Sequence, residues 1–107
     1  MSVGIIMGNV RGMYLLSLSI NPASVATITT AEQDFTLNGV KVGDMVYVSK
    51  PSLDAGLGIA NARVKSADTI SITFVNPTAG GVDAAAETWN ILVIRPERQV
   101  AATLISD

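Results

Sequence analysis

Turn-forming residues recur along this chain at a spacing of roughly ten residues, and this punctuation limits the fold more than any other feature of the sequence. Glycine, proline, asparagine and aspartate separate segments that are short for helices but of ordinary length for β-strands. Segment 69–75 shows the pattern most clearly, because Ile70, Ile72 and Phe74 alternate with hydroxyl side chains. Such alternation is typical of a strand that packs one face on a core and leaves the other polar.

The same reasoning predicts an all-β fold, either a β-sandwich or a small β-barrel, with about seven to eight short strands. Asn38-Gly39 is the strongest hairpin signal, and segment 88–95 is apolar enough for a central strand covered on both faces. We expect the core to contain Ile70, Ile72, Phe74, Leu92 and Ile94. Candidate strands are residues 14–20, 25–30, 35–37, 40–42, 45–49, 59–65, 69–75 and 88–95, with 99–105 as a further candidate.

A chain of 107 residues is the size of one domain. Residues 14–107 are predicted to form a single β domain, and residues 1–13 an extended N-terminal arm in which Gly4, Gly8 and Gly12 oppose a helix. The arm either folds back as an edge strand or adds a strand to a neighbouring subunit or a capsid surface, and we favour the second. The predicted interface residues of the arm are Val3, Ile5, Ile6, Met7, Val10 and Met13.

The residue types argue against catalysis and against a resident cofactor or metal. The chain has no histidine and no cysteine, so it lacks the usual general base, a thiolate and the commonest metal ligand. Ser49-Lys50 and Lys65-Ser66 are interpreted as solvated surface, and Trp89 and Tyr47 as core or interface residues. We therefore predict a protein that is not an enzyme. Its scattered aspartates are expected to cap turns: Asp34, Asp44, Asp54, Asp68 and Asp83.

Charge and hydropathy restrict the partners. The net charge is −2 and the seven basic residues are dispersed, so nucleic-acid binding is not expected. No run reaches the ~18–20 apolar residues of a membrane helix, and the serines in segment 13–20 favour a strand over a signal peptide. Hydrophobic residues make up 49% and charged residues 15%, against about 25% charged in a typical soluble domain. This excess indicates either a well-packed β domain or a surface covered by other subunits.

A stretch of more than half the chain, residues 40–96, resembles the small virion proteins of tailed bacteriophages, including capsid decoration or cement proteins. The resemblance is carried by the segments Val40-Lys41-Val42-Gly43-Asp44-Met45-Val46-Tyr47-Val48, Pro51, Gly56-Leu57-Gly58-Ile59, Ala62-Arg63-Val64, Ala67-Asp68-Thr69-Ile70, Ile72-Thr73-Phe74-Val75-Asn76-Pro77-Thr78-Ala79 and Ile91-Leu92-Val93-Ile94-Arg95-Pro96. It implies binding to the major capsid protein, assembly as a homotrimer, synthesis in the host cytoplasm and a place on the capsid surface of the virion. It implies no catalytic residues.

Two other functions compete with this interpretation. A phage tail or baseplate component shares the fold class and composition. A carbohydrate- or peptide-binding β module belongs to another class and needs a concave site with exposed aromatic side chains. The aromatic residues available for such a site are Tyr14, Phe35, Tyr47, Phe74 and Trp89.

Overall fold

A computed structural model describes residues 10–97, and within this range the chain forms six strands and no helix. The strands are β1 (Val10–Ile20), β2 (Thr29–Thr36), β3 (Met45–Ser49), β4 (Gly58–Ser66), β5 (Thr69–Asn76) and β6 (Glu87–Pro96). They build two antiparallel three-stranded sheets, with the orders β1-β6-β3 and β2-β5-β4. The predicted all-β, sandwich-like fold is confirmed. None of the described segments is a helix long and apolar enough to span a membrane.

The core lies between the inner faces of the two sheets. Strand β5 contributes Ile70, Ile72 and Phe74, all fully buried as the alternation predicts. The Phe74 ring meets the edge of Trp89 from β6, with ring centroids 6.1 Å apart and an interplanar angle of 78°. The remaining large side chains of this cluster come from other strands and connections: Ile20, Val25, Leu37, Val40, Val46, Ile91 and Val93.

The prediction that Leu92 and Ile94 form the core face of β6 is wrong. Leu92 and Ile94 point outward and are only partly buried, whereas Trp89, Ile91 and Val93 point inward. Strand β6 is central, as predicted, but within residues 10–97 only its inner face is covered, contrary to the prediction of two covered faces. Because apolar residues occupy both faces, the hydrophobicity of the strand alone does not identify the inner one. The exposed Asn90 shares a face with Leu92 and is the sequence signal for the correct orientation.

Strand β2 joins two segments that the sequence separates. Predicted strands 25–30 and 35–37 are bridged by a polar stretch, yet β2 runs without a break from Thr29 to Thr36 and pairs with β5 along its whole length. Asp34 therefore lies inside a strand and not in a turn, contrary to the prediction. Glu32 and Asp34 face outward and bind basic side chains of β4, which makes this polar sequence compatible with a strand.

The Asn38-Gly39 turn does not form a hairpin, and residues 40–42 are not a strand. The turn instead leads from one sheet to the other and docks on the tight β4–β5 turn. The Gly39 N–H donates to Asp68 Oδ1 (2.7 Å), and the Asp68 N–H donates to the Val40 carbonyl (3.0 Å). Asp68 lies in the turn between β4 and β5 as predicted, with a left-handed φ of 62°.

The first strand begins at Val10, four positions before the predicted start at Tyr14. Val25 lies outside β2 and forms an isolated bridge with Val82. The predicted last strand, residues 99–105, falls outside the described residues.

Candidate functional site on the outer face of one sheet

The outer face of the β1-β6-β3 sheet is apolar at one end. Register places Met13, Ile94 and Met45 in one row across the three strands, and Leu15, Leu92 and Tyr47 in the next. We call this set the apolar face. The four side chains on the edge strands are exposed by 77% at Leu15, 54% at Met13, 52% at Met45 and 49% at Tyr47. Since large apolar side chains from three strands are grouped here, the surface has the character of a contact site and not of scattered exposed residues.

A polar row borders the apolar face on the same side of the sheet. Ser17, Asn90 and Ser49 are paired across the three strands directly beyond the row of Leu15. All three are exposed, and they carry hydroxyl and amide groups without formal charge. An apolar centre bordered by hydrogen-bonding groups is the usual composition of a protein–protein interface.

The outer face of the other sheet has the opposite chemistry. Arg63 makes a two-point ion pair with Glu32, with N–O distances of 2.7 and 2.8 Å, and Lys65 Nζ lies 2.9 Å from Asp34 Oδ2. The hydrogen bond from Arg63 lowers the pKa of Glu32, and hydrogen bonds from Ser71 and then Lys65 lower the pKa of Asp34. These carboxylates are thus held charged on the molecular surface. The two outer faces of the sandwich therefore differ sharply, one charged and one apolar.

The structure describes two of the six predicted interface residues. Met13 is one corner of the apolar face, whereas Val10 begins β1 opposite Pro96 and is partly buried. Val3, Ile5, Ile6 and Met7 lie outside the described residues. The apolar residues on β3 and β6 were not identified as interface candidates. One sequence signal could have identified two of them: Met45 and Tyr47 lie two and four positions before the polar Ser49, so all three share one face of the strand.

The prediction that Lys50 lies on the solvated surface is wrong. Its side chain is only 11% exposed and its Nζ lies 2.5 Å from Asp54 Oδ2 and 2.8 Å from Glu87 Oε1. Burial lowers the pKa of Lys50, but hydrogen bonds to Asp54 and Glu87 outweigh it and the net shift is upward. Ser52 Oγ is 3.4 Å from Lys50 Nζ and also donates to Glu87. A lysine that is more strongly protonated is a poor general base, so this cluster fastens the 50–57 loop to β6.

Asp44 has two roles, only one of which the sequence predicts. Its carboxylate accepts the N–H of Lys41 (3.0 Å), which is the expected turn-capping bond. It also receives Arg95 at both oxygens, with distances of 2.9 and 2.7 Å, and its side chain is only 3% exposed. The hydrogen bond from Arg95 lowers the pKa of Asp44. The pair ties the start of β3 to the end of β6 and supports one edge of the apolar face.

Asn76 uses all of its side-chain hydrogen-bonding capacity inside the fold. Its Nδ2 donates to the carbonyls of Val25 (3.0 Å) and Gly80 (2.9 Å), and its Oδ1 accepts from the N–H (2.9 Å) and hydroxyl (2.6 Å) of Thr78. The residue is fully buried. The Phe-x-Asn-x-Thr element that contributes to the family resemblance therefore organises a loop and does not form a ligand site.

The aromatic residues are divided between core and surface. Trp89 and Phe74 are fully buried, which confirms the core alternative for Trp89, whereas Tyr47 lies on the apolar face. Tyr14 is 43% exposed, with the Arg95 guanidinium 5.8 Å from its ring centre. Among the described residues, this leaves the two tyrosines as the substantially exposed aromatics for a carbohydrate- or peptide-binding module.

No group of acidic, histidine or cysteine side chains within residues 10–97 has the arrangement of a metal site. Compared with protein-family models, with curated proteins and with solved structures, the chain shows no significant match. The apolar face and its contrast with the charged face are therefore the features on which a functional proposal rests.

Proposed function

We propose that this chain is a non-enzymatic virion structural protein that binds and stabilises a phage capsid shell as a decoration protein. The observation that carries the proposal is the apolar face, which brings together Met13, Leu15, Met45, Tyr47, Leu92 and Ile94. The resemblance of residues 40–96 to small virion proteins supplies the identity of the partner, the major capsid protein. The proposed site is the capsid surface, reached after synthesis in the host cytoplasm.

The difference between the two outer faces supports an orientation on the shell. Removing the ion pairs of Glu32 and Asp34 from water carries a desolvation cost, so this face is suited to solvent. Covering Leu15, Met13 and Tyr47 removes apolar surface from water and is favourable. We place the β1-β6-β3 sheet against the shell or a neighbouring subunit and the β2-β5-β4 sheet outward.

A matched pair of variants tests this orientation. Leu15→Glu places a charge on the apolar face, whereas Thr30→Glu places the same charge on an exposed strand position of the opposite sheet. We expect Leu15→Glu to weaken binding to undecorated capsids at least about tenfold, because an interfacial carboxylate without a partner is costly. Thr30→Glu should bind like the parent chain. Co-sedimentation with empty capsids measures both, after circular dichroism has verified that each variant is folded.

Equal binding of Leu15→Glu and the parent chain would refute the apolar face as the docking surface. Binding to purified tails but not to heads would favour the alternative of a tail or baseplate component. Analytical ultracentrifugation tests the proposed homotrimer, and a strict monomer both free and on the particle would contradict it.

The N-terminal arm is part of the proposal and needs its own deletion. Since Val10, Gly12 and Met13 are paired with β6, a deletion that tests the arm alone removes residues 2–9. We expect the shortened chain to keep its melting temperature and to lose capsid binding or oligomerisation. Unfolding of the shortened chain, when the full chain is a stable monomer, would show that the arm completes its own domain.

We also propose that the chain has no hydrolytic or transfer activity, since Lys50 and Asp44 are committed to internal ion pairs. A broad substrate screen should show no turnover above background. Turnover that disappears on substitution of a single aspartate or glutamate would contradict this.

A further inference from the structure

A cleft adjoins the end of the apolar face that lies opposite the polar row. The cleft has a volume of about 520 Å³. Three parts of the chain line it: residues 41–44, residues 95–97 and Arg11. Pro96 and Gly43 lie two residues further from the polar row than Ile94 and Met45, which belong to the first row of the apolar face. A surface that covers the apolar face therefore also reaches the cleft.

The cleft contains the two basic residues of the described chain that lack a carboxylate partner. Residues 10–97 include six basic side chains, and four of them make ion pairs: Lys50, Arg63, Lys65 and Arg95. The other two are Arg11 and Lys41, and neither has a carboxylate oxygen of residues 10–97 within 4.0 Å. Both are exposed and both line the cleft.

The lining of the cleft has more positive than negative charge. Arg95 and Asp44 bind each other, so their charges cancel. Arg11 and Lys41 then remain against the single carboxylate of Glu97. The whole chain has a net charge of −2, so this excess of positive charge is a local feature. Its electrostatic complement is an anionic group.

Local structure places the backbone of each cation beside the cleft. The pairing of β1 with β6 shifts register between Val10 and Gly12, and Arg11 has no partner on β6, as in a β-bulge. Bulges commonly re-aim a side chain at the edge of a sheet. The Lys41 N–H donates to Asp44 Oδ2 and the Asp44 N–H donates to the Lys41 carbonyl, both at 3.0 Å. These two bonds hold the turn that carries Lys41.

We propose that the cleft receives an aspartate or glutamate side chain of the capsid protein, with Arg11 and Lys41 as its cationic partners. The contact presupposes the proposed capsid binding and adds the chemistry of the partner surface, an apolar patch with a carboxylate on one side. Arginine suits this role because its guanidinium can bind both oxygens of a carboxylate. Since the polar row at the other end is uncharged, the contact fixes the orientation in which the apolar face docks.

A matched pair of double variants tests the contact. Arg11→Gln with Lys41→Gln removes two positive charges from the cleft, and Arg63→Gln with Lys65→Gln removes the same two charges from the charged face. We expect the cleft variant to bind empty capsids about tenfold more weakly than the parent chain at roughly 10 mM salt, and within about twofold of it at roughly 500 mM, because salt screens exposed charges. The control should bind like the parent chain at both salt concentrations. Co-sedimentation measures all three proteins.

Crosslinking with a carbodiimide identifies the partner of Lys41 directly. The reagent activates a carboxylate, the Lys41 amine displaces the activating group to form an amide, and the reagent leaves as a urea. On decorated capsids, peptide mass spectrometry should find Lys41 joined to an aspartate or glutamate of the capsid protein. Leu15→Glu, which weakens docking, should reduce this product, and Lys65 on the charged face should not crosslink to the capsid protein.

Equal salt dependence of the two double variants, or capsid binding without a crosslink from Lys41 to the capsid protein, would overturn the contact and leave the apolar face as the docking surface. A Lys41 crosslink found only within its own chain, or only to a second copy, would overturn it as well. A parent chain that does not bind capsids would refute the proposed function and the contact together.

Discussion

Phe74→Ala is the substitution expected to destabilise this fold most directly. The ring is fully buried, packs edge-on against Trp89 and lies on the central strand of its sheet, between Ala31 on β2 and Ile59 on β4. Truncation of a buried phenylalanine costs about 3–5 kcal/mol through lost transfer free energy and the cavity left behind. Because two paired strands restrain collapse around the site and an aromatic contact worth about 0.5–1.5 kcal/mol is lost, we expect the upper half of that range.

The chain contains only one other phenylalanine, Phe35, which supplies a matched control. Phe35 lies on β2 opposite Ile70 and is half-buried at the margin of the core. Its truncation should cost about 1–3 kcal/mol, since less apolar surface returns to water and the site is open to rearrangement. Urea unfolding followed by the fluorescence of the single tryptophan, Trp89, reports both values. A loss below about 1 kcal/mol for Phe74→Ala, or a larger loss for Phe35→Ala, would refute the assignment of the core.

Three further predictions concern the buried polar groups. Asn76→Asp should destabilise the chain by about 3 kcal/mol or more at pH 7, because the new carboxylate faces the carbonyls of Val25 and Gly80. The loss of stability should be smaller in acid, where the carboxylate is protonated. Denaturant titrations at several pH values measure both effects. The pKa of Asp44 is lower in the folded chain than in the unfolded chain. The stability that its pair with Arg95 contributes is therefore fully present above the unfolded-state pKa of about 4, and it is lost as the pH falls toward the lower folded-state pKa. Asp44→Asn should therefore flatten the acid limb of a stability–pH profile, and an unchanged limb would exclude this pair as its origin. Lys50→Met should cost about 1–3 kcal/mol by leaving two half-buried carboxylates without a cation, whereas the exposed Lys65→Met should cost less than about 1 kcal/mol in the same urea titration.

The alternation in β5 was sufficient to predict its inner face from sequence, because Ile70, Ile72 and Phe74 alternate with polar residues. The position of the turn at Asp68 was equally predictable, since aspartate at a tight connection tolerates a left-handed φ. In both cases the information is local: neighbouring residues determine which way a side chain points or how the backbone bends. The all-β class followed from many such local signals.

The apolar face could not be assigned from sequence in the same way. In β6 both faces are apolar, and only the pairing of this strand with β1 and β3 shows that Leu92 and Ile94 lie outside and next to Leu15 and Tyr47. The sequence places the exposed Met13 in the predicted arm, but its position in one row with Ile94 of β6 and Met45 of β3 depends on strand order. Strand order is a property of contacts between distant segments, which local propensity does not encode.

The polar interactions follow the same division. Sequence identifies Lys50, Asp44 and Asn76 as polar residues at strand ends and turns, where solvent exposure is the ordinary expectation. Tertiary structure decides that Lys50 meets Glu87, that Asp44 meets Arg95 and that Asn76 meets Val25, across separations of 37, 51 and 51 residues. The physical reason is that burial becomes favourable for such groups only when distant partners satisfy them, and folding of the whole sandwich is what brings those partners together.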